Sequence, residues 1–138
     1  MSAAKIYLDT SFLFELFSKN AKDMEAILKK LSPSKFYTSC LTYDEFVWVA
    51  RKRFSKDISL LAADFILSLE FLEFIDLNRG VIERSKLIME EHGLKPRDSL
   101  HCATMISVGI AEVVTTDARD FQKIKGMRII APEVLLSS

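Results

Sequence analysis

Short apolar runs and longer amphipathic stretches alternate along the whole chain. Runs rich in β-branched and aromatic residues predict buried strands, whereas apolar residues spaced three and four apart predict helices. Strands are predicted at residues 6–8, 36–38, 74–77, 113–115 and 127–130. Helices are predicted at residues 11–17, 23–31, 42–54, 58–71, 81–91 and 97–108, with a helical turn at 119–124. The third helix is expected to open with a capping box at Thr42–Glu45.

The alternation of strands and helices predicts a single three-layer α/β/α domain over residues 1–138. Strands joined through a helix run in the same direction, so the central sheet should be parallel and contain four to five strands. The chain is 49% hydrophobic and has only four Gly and three Pro. This composition leaves enough apolar material for a full core and few residues for linkers.

The charge balance argues against a protein that binds nucleic acid over its whole surface. Its 19 basic and 19 acidic residues cancel, so there is no overall positive field. Local basic clusters occur at residues 51–53 and 119–125. No apolar run is long enough to span a bilayer, and Cys40 and Cys102 belong to no metal or disulfide motif. We therefore expect a cytoplasmic protein with reduced thiols and no membrane contact.

Four acidic residues fall where the predicted fold brings distant segments together. Asp9 and Asp117 follow the ends of two strands, and Glu45 and Asp98 lie in the first turns of two helices. In an open parallel sheet these positions share one edge, so the four carboxylates can meet there. Each acid alone has an ordinary explanation as a helix cap or as a partner of a helix dipole. The coincidence of all four favours a functional site.

A divalent cation would remove the repulsion between gathered carboxylates. Mg²⁺ and Mn²⁺ take oxygen ligands and are often shared between protein carboxylates and phosphate. Zinc is disfavoured, because His92 and His101 have no partner at the spacing of a zinc motif. Asp120, one turn beyond Asp117, is either a further ligand or a helix cap.

Side chains next to the acids are candidates for a supporting role. Thr10, Ser11 and Thr116 carry hydroxyls that can orient the carboxylates or a bound water. His101 lies three residues after Asp98 and therefore shares its helix face. Core packing and support of the acids are the two explanations for this histidine.

Four short motifs, taken in order, resemble the PIN domain, the metal-dependent ribonuclease fold of VapC-type toxins. They are Ile6–Ser11, Leu41–Phe46, Arg97–Thr104 and Val114–Phe121. The resemblance implies a catalytic quartet of metal-binding acids, with Asp120 as a further candidate: Asp9, Glu45, Asp98 and Asp117. It makes Asp9 and Asp98 direct ligands of Mg²⁺ or Mn²⁺, and it leaves the other acids to hold a second ion or a water.

The activity implied by this resemblance is hydrolysis of RNA phosphodiester bonds by a metal-activated water. The basic residues expected to hold the RNA backbone are Lys95, Arg97 and Arg119. The resemblance also implies a homodimer and a small antitoxin partner. Two alternatives stay open: a PIN-like scaffold that binds RNA or protein without chemistry, and a PIN nuclease of RNA processing rather than a toxin.

Overall fold

The computed structural model describes residues 4–19, 21–31, 33–116 and 118–136. Its strands are β1 (Lys5–Leu8), β2 (Lys35–Ser39), β3 (Leu72–Ile75), β4 (Glu112–Val114) and β5 (Arg128–Ile130). The longer helices are α1 (Thr10–Phe17), α2 (Ala21–Leu31), α3 (Cys40–Arg53), α4 (Lys56–Ser68), α5 (Arg79–His92) and α6 (Pro96–Ser107). The two short helices are α7 (Ala118–Phe121) and α8 (Pro132–Leu136). No helix within these ranges is long and apolar enough to cross a membrane.

The strands form one parallel sheet in the order β3-β2-β1-β4-β5. β1 is central, and Tyr7 pairs with Tyr37 on one side and with Val113 on the other. The predicted α/β fold with a five-stranded parallel sheet is therefore confirmed. Because β1 lies between β2 and β4, the segments that follow these three strands emerge side by side at one edge of the sheet.

The core has two parts, one on each face of the sheet. Ile6 and Leu8 of β1 point into the first part, which the buried faces of α1, α3 and α4 complete. Tyr7 points into the second part, together with residues of α5 and α6. The period-two alternation of a strand thus sends neighbouring residues of β1 into opposite layers.

Three boundaries differ from the sequence prediction. α3 begins at Cys40, with Ser39 in extended conformation before it, so the predicted capping box is wrong and Glu45 lies in the second turn. The Thr42 side chain is buried and bonds to Tyr7 instead of capping the helix. β3 begins and ends two residues early because Leu72 and Ile75 are its buried residues, whereas Phe74 is exposed.

Candidate active site

Asp9 ends the central strand and precedes α1, but its carboxylate does not cap that helix. Its Oδ2 instead accepts a hydrogen bond of 2.7 Å from the Thr115 hydroxyl. The Asp9 amide also donates to the carbonyl of Val114 at 3.1 Å. The segment that follows β4 therefore orients this acid. The explanation of Asp9 as a helix cap does not apply.

Glu45 projects from α3 towards α6, where it meets His101. The distance between Glu45 Oε1 and His101 Nε2 is 2.6 Å. A carboxylate can only accept a hydrogen bond, so Nε2 carries a hydrogen and donates it. Asp9 Oδ1 lies 3.9 Å from the same nitrogen. His101 thus stands between two of the predicted acids.

A buried chain of hydrogen bonds holds the other side of the His101 ring. Its Nδ1 lies 2.7 Å from the Tyr7 hydroxyl. That hydroxyl also lies 2.8 Å from Ser39 Oγ and 3.1 Å from Thr42 Oγ1. Tyr7 is 0% and His101 1% exposed, so water cannot replace these contacts. We call this set of Tyr7, Ser39, Thr42, His101 and Glu45 the buried relay.

Burial and charge act in opposite directions on the imidazole of this relay. Burial lowers the pKa of His101, but the Glu45 hydrogen bond and the negative charges of nearby carboxylates outweigh it, so the pKa lies above its ordinary value. Burial raises the pKa of the Tyr7 phenol, despite lowering by the hydrogen bonds from Ser39 and Thr42. Tyr7 therefore stays neutral at physiological pH.

An open pocket of about 420 Å³ lies over these groups. Three of the four predicted acids, Asp9, Glu45 and Asp98, contribute to its lining. Three segments far apart in the sequence are thereby brought to one pocket. The other residues of the lining are Thr10, Ser11, Phe14, Glu15, Val49, Arg53, His101 and Thr116.

The predicted supporting hydroxyls have different surroundings. Ser11 Oγ accepts a hydrogen bond of 3.0 Å from the Thr116 amide, which joins the start of α1 to the segment after β4. Thr10 Oγ1 is buried and has no hydrogen-bond partner among the described residues. Thr115, which bonds Asp9, was missed from the sequence because its neighbour Thr116 stands closer to Asp117.

Two of the predicted acids cannot be placed. Asp117 lies outside the described residues, and so does the side chain of Asp120, although its backbone belongs to α7. Lys95, Arg97 and Arg119 are exposed, and none of the three is among the described residues that line the pocket. Their predicted contact with RNA stays a prediction.

The pocket's donors were tested for their fit to a metal. Within the described ranges, no three His, Cys, Asp or Glu side chains form a group that could hold one ion. Carboxylate oxygens are nevertheless the ligands that Mg²⁺ prefers, and the partnerless Thr10 hydroxyl adds a further oxygen. Mg²⁺ typically binds through one or two carboxylates, several waters and a substrate phosphate rather than in a protein cage. The residues present fit that kind of site.

Sequence reasoning missed the wall of the pocket that α3 forms. Glu45, Val49 and Arg53 follow one another at intervals of four residues, so they lie along one side of the helix. This spacing was visible in the sequence. It was overlooked because residues 51–53 read as an ordinary basic helix end.

Comparisons with known proteins agree with this architecture. The sequence matches the PIN domain family over residues 6–127, while a search of curated protein sequences finds no significant match. A toxin–antitoxin complex from Klebsiella pneumoniae contains a chain 25% identical to this one, with a TM-score of 0.65 over 95% of this chain and 98% of that one. DNA-bound VapBC from Salmonella typhimurium is similar at 23% identity and a TM-score of 0.72, over 94% and 98% of the two chains.

A third similar structure is VapC20 from Mycobacterium tuberculosis, described as a sarcin–ricin loop cleaving toxin. It is 20% identical, with a TM-score of 0.67 over 85% of this chain and 92% of that one. At these identities the structural likeness supports the fold, and the sequence match over residues 6–127 supports the family. The chain belongs to the PIN domain family.

Proposed function

We propose that this protein is a metal-dependent endoribonuclease that hydrolyses RNA phosphodiester bonds, and that it is the toxin of a VapBC-type pair. The observation that carries the proposal is the meeting of Asp9, Glu45 and Asp98 in one pocket of a PIN-family chain. Three acids from distant segments have no shared structural task there. Substrate phosphate and a cation together would balance their charge.

Asp9 and Asp98 are the residues that would hold a Mg²⁺ or Mn²⁺ ion directly. Glu45 and Asp117 would hold a second ion or a water, with Asp120 as a further ligand. When bound, such an ion lowers the pKa of water and stabilises negative charge on the phosphate. Asp117 and Asp120 enter only through the family resemblance, because their side chains are outside the described residues.

The chain's own contribution is to hold the acids in place. Thr115 fixes one oxygen of Asp9, and His101 fixes one oxygen of Glu45. His101 and Asp98 lie on the same face of α6, so one helix delivers both an acid and the support of another. Lys95, Arg97 and Arg119, which are exposed, would hold the RNA backbone around the pocket.

A protein partner is the second part of the proposal. An apolar cleft of about 350 Å³, lined by Phe14, Phe17, Ser18, Phe54 and Ile58, adjoins the acidic pocket through Phe14. The similar chain from Klebsiella pneumoniae occurs in a toxin–antitoxin complex. We propose that an antitoxin occupies this cleft.

The proposed homodimer and the cytoplasmic location complete the picture. The exposed Leu60, Leu61 and Leu67 of α4 are candidates for the dimer contact. An RNA-cleaving toxin would find its substrate in the cytoplasm. The alternative of a PIN nuclease in RNA processing differs in substrate and not in chemistry.

The decisive experiment is cleavage of a panel of labelled single-stranded and structured RNAs with Mg²⁺, with Mn²⁺ or with EDTA. We expect cleavage that needs metal and falls at least about 100-fold in Asp9→Asn, because a lost metal ligand removes several kcal/mol of transition-state stabilisation. Asp64→Asn, the same change at an exposed site on α4, is the matched control and should cleave normally.

Failure to cleave any RNA, with normal folding and no metal binding, would contradict the proposal in favour of a non-catalytic scaffold. Expression of the wild-type and Asp9→Asn proteins in cells separates the toxin from the processing enzyme. Growth arrest only by the active protein is expected of a toxin.

A further inference from the structure

α3 carries an exposed tryptophan close to the acidic pocket. Trp48 is the only tryptophan of the chain, and 52% of its surface is exposed. Its indole makes no hydrogen bond or ring contact with any described residue. The core side of the same helix is formed by Thr42, Phe46 and Ala50. Trp48 therefore adds little to the core and leaves a large aromatic face uncovered.

Trp48 is continuous with the wall of the pocket. It follows Glu45 by three residues, a spacing that places the two Cβ atoms about 5–6 Å apart on a helix surface. Its neighbour Val49 lines the pocket, as does Arg53 one turn further along. From Glu45 to Arg53 the helix advances about 12 Å. A strand of substrate leaving the pocket along α3 would meet these residues in turn.

Three exposed cations follow the tryptophan. They are Arg51, Lys52 and Arg53, and none of them forms a salt bridge with any residue of the described ranges. Basic residues at a helix C-terminus favour the helix dipole, which is their ordinary explanation. That explanation does not account for an uncovered indole beside them. We call Trp48, Lys52 and Arg53 the α3 surface.

We propose that the α3 surface binds the single-stranded RNA next to the cleavage site, with Trp48 stacked on a base and with Lys52 and Arg53 on phosphates. A stacking aromatic combined with cations is how proteins bind single strands without reading their sequence. The chain has no net charge, so a local patch must supply the attraction for RNA. The inference rests on the proposed function, because it assumes that RNA is the substrate of the pocket.

The single tryptophan makes the contact directly measurable. Wild-type protein in EDTA and low salt is titrated with short oligoadenylate and oligouridylate while Trp48 emission is recorded. We expect saturable quenching by both RNAs. Heparin, a polyanion without bases, should compete for the cations but leave the emission nearly unchanged.

Labelled RNA and fluorescence anisotropy then compare the variants. Trp48→Ala should weaken binding at least about fivefold, and Trp48→Phe, which keeps a stacking ring, by less than about threefold. Lys52→Gln with Arg53→Gln should weaken binding of all sequences and reduce the dependence of log Kd on log salt by about 0.7 for each phosphate contact. Leu67→Ala, 66% exposed on α4, is the control and should bind normally.

Several outcomes would overturn the inference. RNA that fails to bind at low salt, that binds without changing Trp48 emission, or that binds Trp48→Ala as tightly as wild type contradicts stacking. Equal quenching by heparin reduces the surface to a charge effect. A Trp48→Ala protein with unchanged RNA binding but altered oligomeric state would assign the surface to a protein contact. The nuclease proposal is judged separately, by metal-dependent cleavage and Asp9→Asn.

Discussion

Two sides of α3 differ in how their polar and aromatic groups are satisfied. On the inner side, the buried relay links Tyr7, His101 and Glu45 through hydrogen bonds of 2.6 and 2.7 Å. On the outer side, Trp48 and the following cations contact no described partner. A closed buried set can hold geometry but cannot recognise a ligand. An open exposed set can recognise a ligand but adds little to stability.

This comparison predicts two kinds of mutational effect. A change in the buried relay should alter stability and the position of Glu45 together, because an unpaired buried polar atom costs about 1–3 kcal/mol. A change on the α3 surface should alter affinity for RNA alone. A residue that failed to follow its side would break the comparison.

The largest effect is expected at His101. In His101→Asn the amide can replace Nδ1 but cannot reach Glu45, so metal-dependent cleavage and Mn²⁺ affinity should fall about 10- to 100-fold. His101→Gln can place an N–H donor where Nε2 stood, and it should recover most of the loss. Cleavage rates and Mn²⁺ titration of both variants test this. Equal losses in the two would show that the ring only fills space.

Tyr7→Phe should lower the free energy of unfolding by about 1–3 kcal/mol, because it leaves three buried partners without the hydroxyl. Burial raises the pKa of Tyr7 in the folded state, so its stabilisation is complete below about pH 10 and is lost as the pH rises further. Urea unfolding above and below that pH should therefore decline more steeply for wild type than for Tyr7→Phe. Parallel declines would contradict this.

Metal binding should have a smaller effect on stability. Mg²⁺ or Mn²⁺ at ten times its Kd adds about 1.4 kcal/mol, which raises the Tm by a few degrees. Asp98→Asn should reduce this shift, and Asp64→Asn, outside the pocket, should leave it unchanged. Thermal unfolding with and without metal measures it. A Tm that does not respond to millimolar metal would argue against the proposed site.

The smallest effect is expected for the stability of Trp48→Ala. With half of the indole exposed and no described partner lost, the free energy of unfolding should change by no more than about 0.5 kcal/mol. Urea unfolding of the metal-free protein tests this. A loss above about 2 kcal/mol would place Trp48 with the buried relay instead.

The alternation of apolar runs and amphipathic stretches was enough to predict the parallel α/β fold. It also placed Asp9 after a strand and Asp98 in a first helical turn, because periodicity and proline are local signals. The start of α3 was predicted wrongly. Ser39 and Thr42 look equally like caps in the sequence, and only the buried contact with Tyr7 distinguishes them.

The sequence alone determined which elements form and which acids follow them, since these depend on neighbours along the chain. Only the tertiary structure decided that β1 is central, that Thr115 holds Asp9, and that His101 bonds a tyrosine 94 positions away. Such contacts depend on strand order and helix packing, which join residues with no sequence relation. The side chains of Asp117 and Asp120 lie outside the described residues, and their roles stay predictions.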